Sequence, residues 1–220
     1  MCVAVGEQAL SFPCDLDTTA LALTVCNRDD DDTANSVMDE MLEYINSDGI
    51  VQAYFDHTRP RTDPVVCVNV LSLFYAHSRG HQLPHTLRWI HQILLHRAYL
   101  DGTRYYVTPE SFLFFLARLI HASPHPSLHQ NLNPLLAARV QERIGAGGDA
   151  LALAMRIVAC AHLGIRNELD LRALLPLQCE DGGWELCWFY QYPYQGGKVG
   201  NRGLTTALAI KAITMMKGIQ

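Results

Sequence analysis

Apolar positions along the chain recur every three or four residues, the period of helices that bury one stripe. The repeat runs through residues 16–26, 35–46, 64–78, 84–99, 109–122, 128–144, 149–164, 169–178 and 204–217, about nine helices. Two-residue alternation, the mark of a half-buried strand, is scarce. Its best candidate, "VVCVNV", continues into the helical pattern "LSLFYAH". The pattern predicts an all-α fold.

Turn residues separate the periodic stretches: "NSDG" at 46–49, "SRG" at 78–80, "LDGT" at 100–103, "SPHP" at 123–126 and "GAGG" at 145–148. Pro64, Pro84 and Pro109 fall where helices begin, with Asp63 and Thr108 as caps for two of them. Stretches such as "PESFLFFLARLI" are apolar on more than one face, so they belong between an outer layer and an inner lining. Helical hairpins closed into an α/α barrel, or toroid, meet both demands. Without a fixed-period repeat a solenoid fits less well. A toroid of six hairpins needs about twelve helices at two per hairpin, so about nine predict a barrel incomplete at its N-terminus.

Composition narrows this picture. The 220 residues fit one large domain, 1–220, and 49% hydrophobic content allows a substantial core. A net charge of −5 argues against a nucleic-acid partner, which would demand clustered Lys and Arg. The seven cysteines form no CxxC pair and read as small apolar fillers in a reduced compartment. With no basic-then-apolar leader and no stretch of about 20 apolar residues, the expectation is a cytoplasmic protein without a membrane span.

The chemistry gathers at "FPCDLDTTALAL", residues 12–23. Asp15 is placed to cap the helix that follows, and Asp17, Thr18 and Thr19 fall in its first turn. A cap explains one aspartate more easily than two. Two carboxylates sharing an apolar cavity would leave at least one with a raised pKa, protonated and able to donate, and Thr18 and Thr19 can orient the pair. Asn69, a polar residue on an apparently buried helix, needs a partner there: Asp15, Asp17 or a purely structural one.

"DLDTT" resembles the DxDTT form of the DxDD motif in class II terpene cyclases, and "QCEDGGW", residues 178–184, resembles their QW motif, carried by Gln178, Gly183 and Trp184. "DGIVQAYFD", "RPRTDPVVCVNVLSLFY", "GTRYYVTPESFLFFLARL" and "GNRGLTTALAIKAI" are similar to segments of fungal drimane-type sesquiterpene synthases, which fuse a haloacid dehalogenase-like phosphatase to a cyclase β-domain. The resemblance covers the cyclase part, from about residue 12 onward. It implies protonation-initiated cyclisation of farnesyl diphosphate to a bicyclic drimane-type diphosphate. Asp17 would be the proton donor, Asp15 its support, and Thr18 would stand for the motif's last carboxylate. It further implies Mg2+ accompanying the substrate diphosphate and a phosphatase domain or protein acting in trans.

The letters of "DLDTT" also fit the nucleophile motif of the phosphatases themselves, but "ALALTVCN" continues as helix and no alternating βα units follow. For the diphosphate, "GGKVGNRG" at 196–203 offers Lys198, Arg202 and glycines that let backbone N–H groups approach an anion, with Arg104 as a further cation. Tyr105, Tyr106 and Trp188 are the aromatic candidates for steadying a carbocation. The run "RDDDDTA", 28–34, reads as a solvated loop capping a helix from about Asn35. His91 with His96 and His121 with His125 lack ligand spacing, so no metal site is expected, which disfavours a zinc-dependent protein prenyltransferase subunit. The competing reading is a non-catalytic toroid module that binds a partner, or a cyclase fragment that needs its partner domain.

Overall fold

The computed structural model describes residues 14–26, 31–192 and 196–218. Ten α-helices follow in order: α1 (Leu16–Cys26), α2 (Asp31–Glu43), α3 (Pro64–Ala76), α4 (Pro84–Leu95), α5 (Pro109–Ala122), α6 (Pro126–Asn131), α7 (Asn133–Arg143), α8 (Ala150–His162), α9 (Glu168–Leu174) and α10 (Arg202–Gly218). The expected caps hold. Asp63 accepts from the Val65 and Val66 amides at the start of α3, and Thr108 accepts from the Glu110 amide at α5. The left-handed Gly49 and Gly102 lie in two of the predicted turns, at φ of 79° and 77°.

The periodicity missed three boundaries. The stretch 128–144 is two helices that meet at Leu132, because Pro134 lacks the N–H needed to continue the first. Helix α2 begins at Asp31, so the second half of the acidic run is its first turn and not a loop before Asn35; residues 28–30 of that run lie outside the described residues. Negative charge at a helix N-terminus suits the dipole there. Finally, β1 (Trp188–Gln191) and β2 (Lys198–Gly200) form a small antiparallel pair where loop was expected.

The helices sort into two layers. In the inner row α1, α3, α5, α8 and α10 each pack extensively on the next. Helices α3, α5 and α8 are buried along nearly their whole length. Helices α4, α7 and α9 bury only one stripe each and form the outer layer. Inner and outer helices thus alternate along the chain from α3 to α10. At the two ends of the row, α1 and α10 share no extensive packing among the described residues. No described helix is long and apolar enough to cross a membrane.

Ion pairs lock the outer layer to the inner row. Arg156 of α8 is fully buried and bonds Asp170 of α9 at 2.6 Å and Glu110 of α5 at 2.8 Å. Arg143 of α7 reaches the same Glu110 oxygen at 2.7 Å. Four helices thus share one charge network, which satisfies every buried ion within it.

Candidate active site

The first turn of α1 is held from outside the helix. The Leu16 amide donates to the Ala53 carbonyl at 3.0 Å, and the Phe55 amide donates to the Cys14 carbonyl at 3.1 Å, so the segment before α3 pairs with the chain entering α1. Asp15 accepts from the Thr18 amide at 2.6 Å and so caps α1. The Thr19 hydroxyl donates to the Asp15 carbonyl at 2.8 Å, and the Thr18 side chain is exposed. The two threonines and Asp15 therefore build the helix start, and no described bond joins their side chains to the Asp17 carboxyl.

Asp17 points the other way, into the inner row, and is buried. The Asn69 amide of α3 donates to its Oδ1 at 2.7 Å, and the Tyr106 hydroxyl donates to its Oδ2. Burial pushes the carboxyl from the ordinary 3.8 up to about 6 against the downward pull of Tyr106 and Asn69, and the nearby charges of Asp15 and Asp63 add to the rise. This combination makes a useful acid. Desolvation lets the carboxyl keep its proton up to about pH 6, well above an ordinary aspartate, while the two donors stand ready for the carboxylate that forms when the proton leaves.

Tyr106 is placed by a tight loop. The Thr103 hydroxyl accepts from the Tyr106 amide at 3.1 Å, and the Thr103 amide donates to the Tyr106 carbonyl at 2.8 Å. Asp63 accepts from the Tyr105 amide at 3.4 Å, tying the same loop to the start of α3. Asp63 is buried, and desolvation raises its pKa against the lowering effect of Thr103 and the three amides it accepts from. Around the Tyr106 ring stand Phe189 at 5.2 Å, Tyr190 at 5.7 Å and Phe115 at 5.8 Å, each edge-to-face. The β1 strand supplies two of these rings. It docks through the Gln191 amide, which donates to the Tyr105 carbonyl at 2.9 Å.

Of the residues singled out in the sequence, Asp17, Tyr105 and Tyr106 come together here, and Asn69 finds Asp17. Tyr105 is buried and stacks on Tyr190 at 5.7 Å. Trp188 opens β1 and is largely exposed, and Arg104 is exposed on the loop before Tyr105. Lys198 lies exposed on β2. Arg202, the first residue of α10, bonds Asp181 at 2.6 Å. In the QW-like turn Trp184 is buried, with its ring N–H donating to the Leu174 carbonyl at 3.1 Å, an anchor between α9 and α10. Gln178 bonds the Gly182 carbonyl within its own turn at 2.8 Å and not a neighbouring helix.

Reading the sequence missed Phe189, whose packing on Tyr106 no local pattern announces. It also missed a cleft between α1, α3 and α5, about 490 Å³ including its mouth. Leu21, Thr24, Asn69, Ser72, Phe115 and Arg118 are among its lining. The cleft reaches Asn69 and Phe115, the neighbours of Asp17 and Tyr106. No group of three His, Cys, Asp or Glu side chains among the described residues is arranged to hold a metal ion.

The model of the sesquiterpene cyclase astC-like C-terminal domain matches residues 4–77, the stretch that carries Asp15, Asp17, Asp63 and Asn69. Drimenol cyclase drtB of Aspergillus calidoustus is 50% identical over 213 residues. The chain resembles the cyclase part of a drimane-type sesquiterpene synthase. The matched region is 96% of this chain and 40% of that relative, so the chain spans about two-fifths of the relative's length.

Proposed function

We propose that this chain is a class II sesquiterpene cyclase unit that converts farnesyl diphosphate to a bicyclic drimane-type diphosphate. The observation that carries the reading is Asp17: a buried carboxyl pushed up to about 6, with a donor on each oxygen, beside an apolar cleft. The likeness to a drimenol cyclase gives that acid a reaction.

The protein's part in the chemistry follows from its residues. Asp17 gives its proton to the terminal alkene, leaving a tertiary cation, and the Tyr106 and Asn69 donors hold the carboxylate left behind. The two remaining alkenes close two rings in turn, and loss of a proton from the bicyclic cation restores neutrality, so the overall change is an isomerisation that retains the diphosphate. The ring faces of Tyr106, Phe115, Phe189 and Tyr190 make a wall of negative quadrupole, worth on the order of 0.5–2 kcal/mol per cation contact. An apolar lining keeps water from capturing the cation early. Asp15 serves by capping α1 and by placing a negative charge that helps hold the proton on Asp17.

Mg2+ would accompany the diphosphate as its counter-ion. Release of an alcohol would require removal of the diphosphate, which falls to a phosphatase domain or protein acting in trans. The non-catalytic module has less support, since a packing residue gains nothing from a buried carboxyl of raised pKa. The test is incubation with farnesyl diphosphate and Mg2+, phosphatase treatment, and analysis of the extract by gas chromatography and mass spectrometry. A drimane alcohol from the wild type and none from folded D17N is the expected result. Equal product from D17N, or none from the folded wild type, would sink the proposal.

A further inference from the structure

The cleft between α1, α3 and α5 has two chemically different ends. Asn69, in the first half of α3, leads to the acid; Ala76, Ala122 and Arg118 lie toward the C-terminal ends of α3 and α5. Seven residues of helix separate Asn69 from Ala76, roughly 10 Å at 1.5 Å per residue.

At that second end Arg118 projects over Phe114 and Phe115, with its guanidinium 5.7 and 5.6 Å from the ring centroids. It has no carboxylate partner among the described residues, although it is partly buried and desolvation opposes its charge. Its neighbours are cationic or neutral bases. Burial, then the charge of Arg118, lower the tendency of Lys211 of α10 to hold its own charge. The His121 and His162 rings stand 4.2 Å apart, and both ring nitrogens of His162 are buried without a hydrogen-bond partner. Burial, then His121, Lys211 and Arg118, depress His162 to about 4, and no acid offsets them. A partly buried guanidinium, the exposed Lys211 ammonium and His121 ring, and the unpartnered nitrogens of His162, with no carboxylate bonded to them among the described residues, form a site lacking only its anion.

We propose that Arg118, which lines the end of the cleft far from Asp17, forms an anion site with the neighbouring Lys211, His121 and His162, and that this site receives the substrate's diphosphate. This rests on the cyclase reading for the identity of the ligand, but the preference for a polyphosphate anion stands by itself. The assignment departs from the 196–203 segment favoured by the sequence, where Arg202 is already paired with Asp181. It also sets the polarity of the substrate, with the diphosphate at the C-terminal ends of the inner helices and the terminal alkene at the start of α1.

The favourable field of helix C-termini for cations is the rival explanation of the cluster, and binding separates the two. Isothermal titration with inorganic pyrophosphate, with inorganic phosphate as a second arm, would be run on the wild type, R118Q, K211Q and K198Q. The expected result is pyrophosphate bound in preference to phosphate, and affinity reduced about tenfold or more in R118Q and K211Q, the scale of one charge-assisted hydrogen bond. K198Q should bind as the wild type does. No pyrophosphate binding by the wild type, unchanged affinity in folded R118Q and K211Q, or the loss in K198Q instead would overturn the assignment. K211Q alters an exposed position and carries the test if R118Q does not fold. Because pyrophosphate contains no alkene, this outcome is independent of cyclisation: binding without turnover would leave the anion site standing and the cyclase reading lost. In an active enzyme, R118Q should raise the KM for farnesyl diphosphate about tenfold and leave the upper limb of the pH–rate profile in place.

Discussion

At the residue scale the decisive balance is between burial and hydrogen bonding at Asp17. Its folded pKa of about 6 lies above the ordinary 3.8, so the native state binds that proton more tightly than the unfolded chain does. The stabilising contribution of that proton is full below about pH 4 and is lost as pH rises through about 6. A shift of roughly two units corresponds to a ceiling of about 3 kcal/mol held against the charged form at pH 7. D17N, which cannot ionise, should therefore be more stable than the wild type in urea titrations at pH 7, with the gap closing toward pH 4. Y106F removes one of the two donors to the carboxylate, so the acid becomes weaker and its pKa rises. The expected outcome is a cyclisation rate lower by about 10- to 100-fold, the range of one charge-assisted hydrogen bond. The pH–rate profile should keep its activity to a higher pH than that of the wild type.

At the element scale the catalytic geometry depends on loop 102–106. Gly102 sits at φ of 77°, and a Cβ there would meet the Tyr106 carbonyl oxygen at 2.7 Å. G102A should cost roughly 1–3 kcal/mol in local strain and displace Tyr106 from Asp17. The measurement is again the pH–rate profile, which should shift upward in the sense expected for Y106F; an unchanged profile with normal activity would show that the loop does not hold the acid's partner. The helices were legible because their apolar period is local, and so were the caps at Asp63 and Thr108. The division at Leu132 and the β1–β2 hairpin were not. In the first case the apolar stripe carries straight through a proline, and in the second the strands are stabilised by docking on the Tyr105 and Tyr106 backbone.

On the scale of the whole molecule, one buried network joins α5, α7, α8 and α9. R156M would strand Glu110 and Asp170 as buried carboxylates without their shared guanidinium. Breaking such a network by removing one partner costs about 3–5 kcal/mol, and chemical denaturation at pH 7 should register a loss of that size. The same substitution sits away from Asp17, so residual activity in the folded fraction should keep the wild-type pH profile. The inner row also explains why the candidate site forms where it does. Helices α1, α3 and α5 pack side by side, so their shared cleft runs from Asn69, the partner of Asp17, to Arg118.

The sequence by itself determined the all-α class, most helix positions, two caps and the two motifs, since each rests on residues a few positions apart. It also singled out Asp17, and left Asn69 with three possible partners. Tertiary structure decided the rest. Asn69 and Asp17 are 52 positions apart and Tyr106 and Asp17 are 89 apart, distances over which no local pattern reports a contact. The raised pKa of Asp17 is likewise a property of burial. Burial depends on which helices pack together, and that is settled only when the inner row assembles.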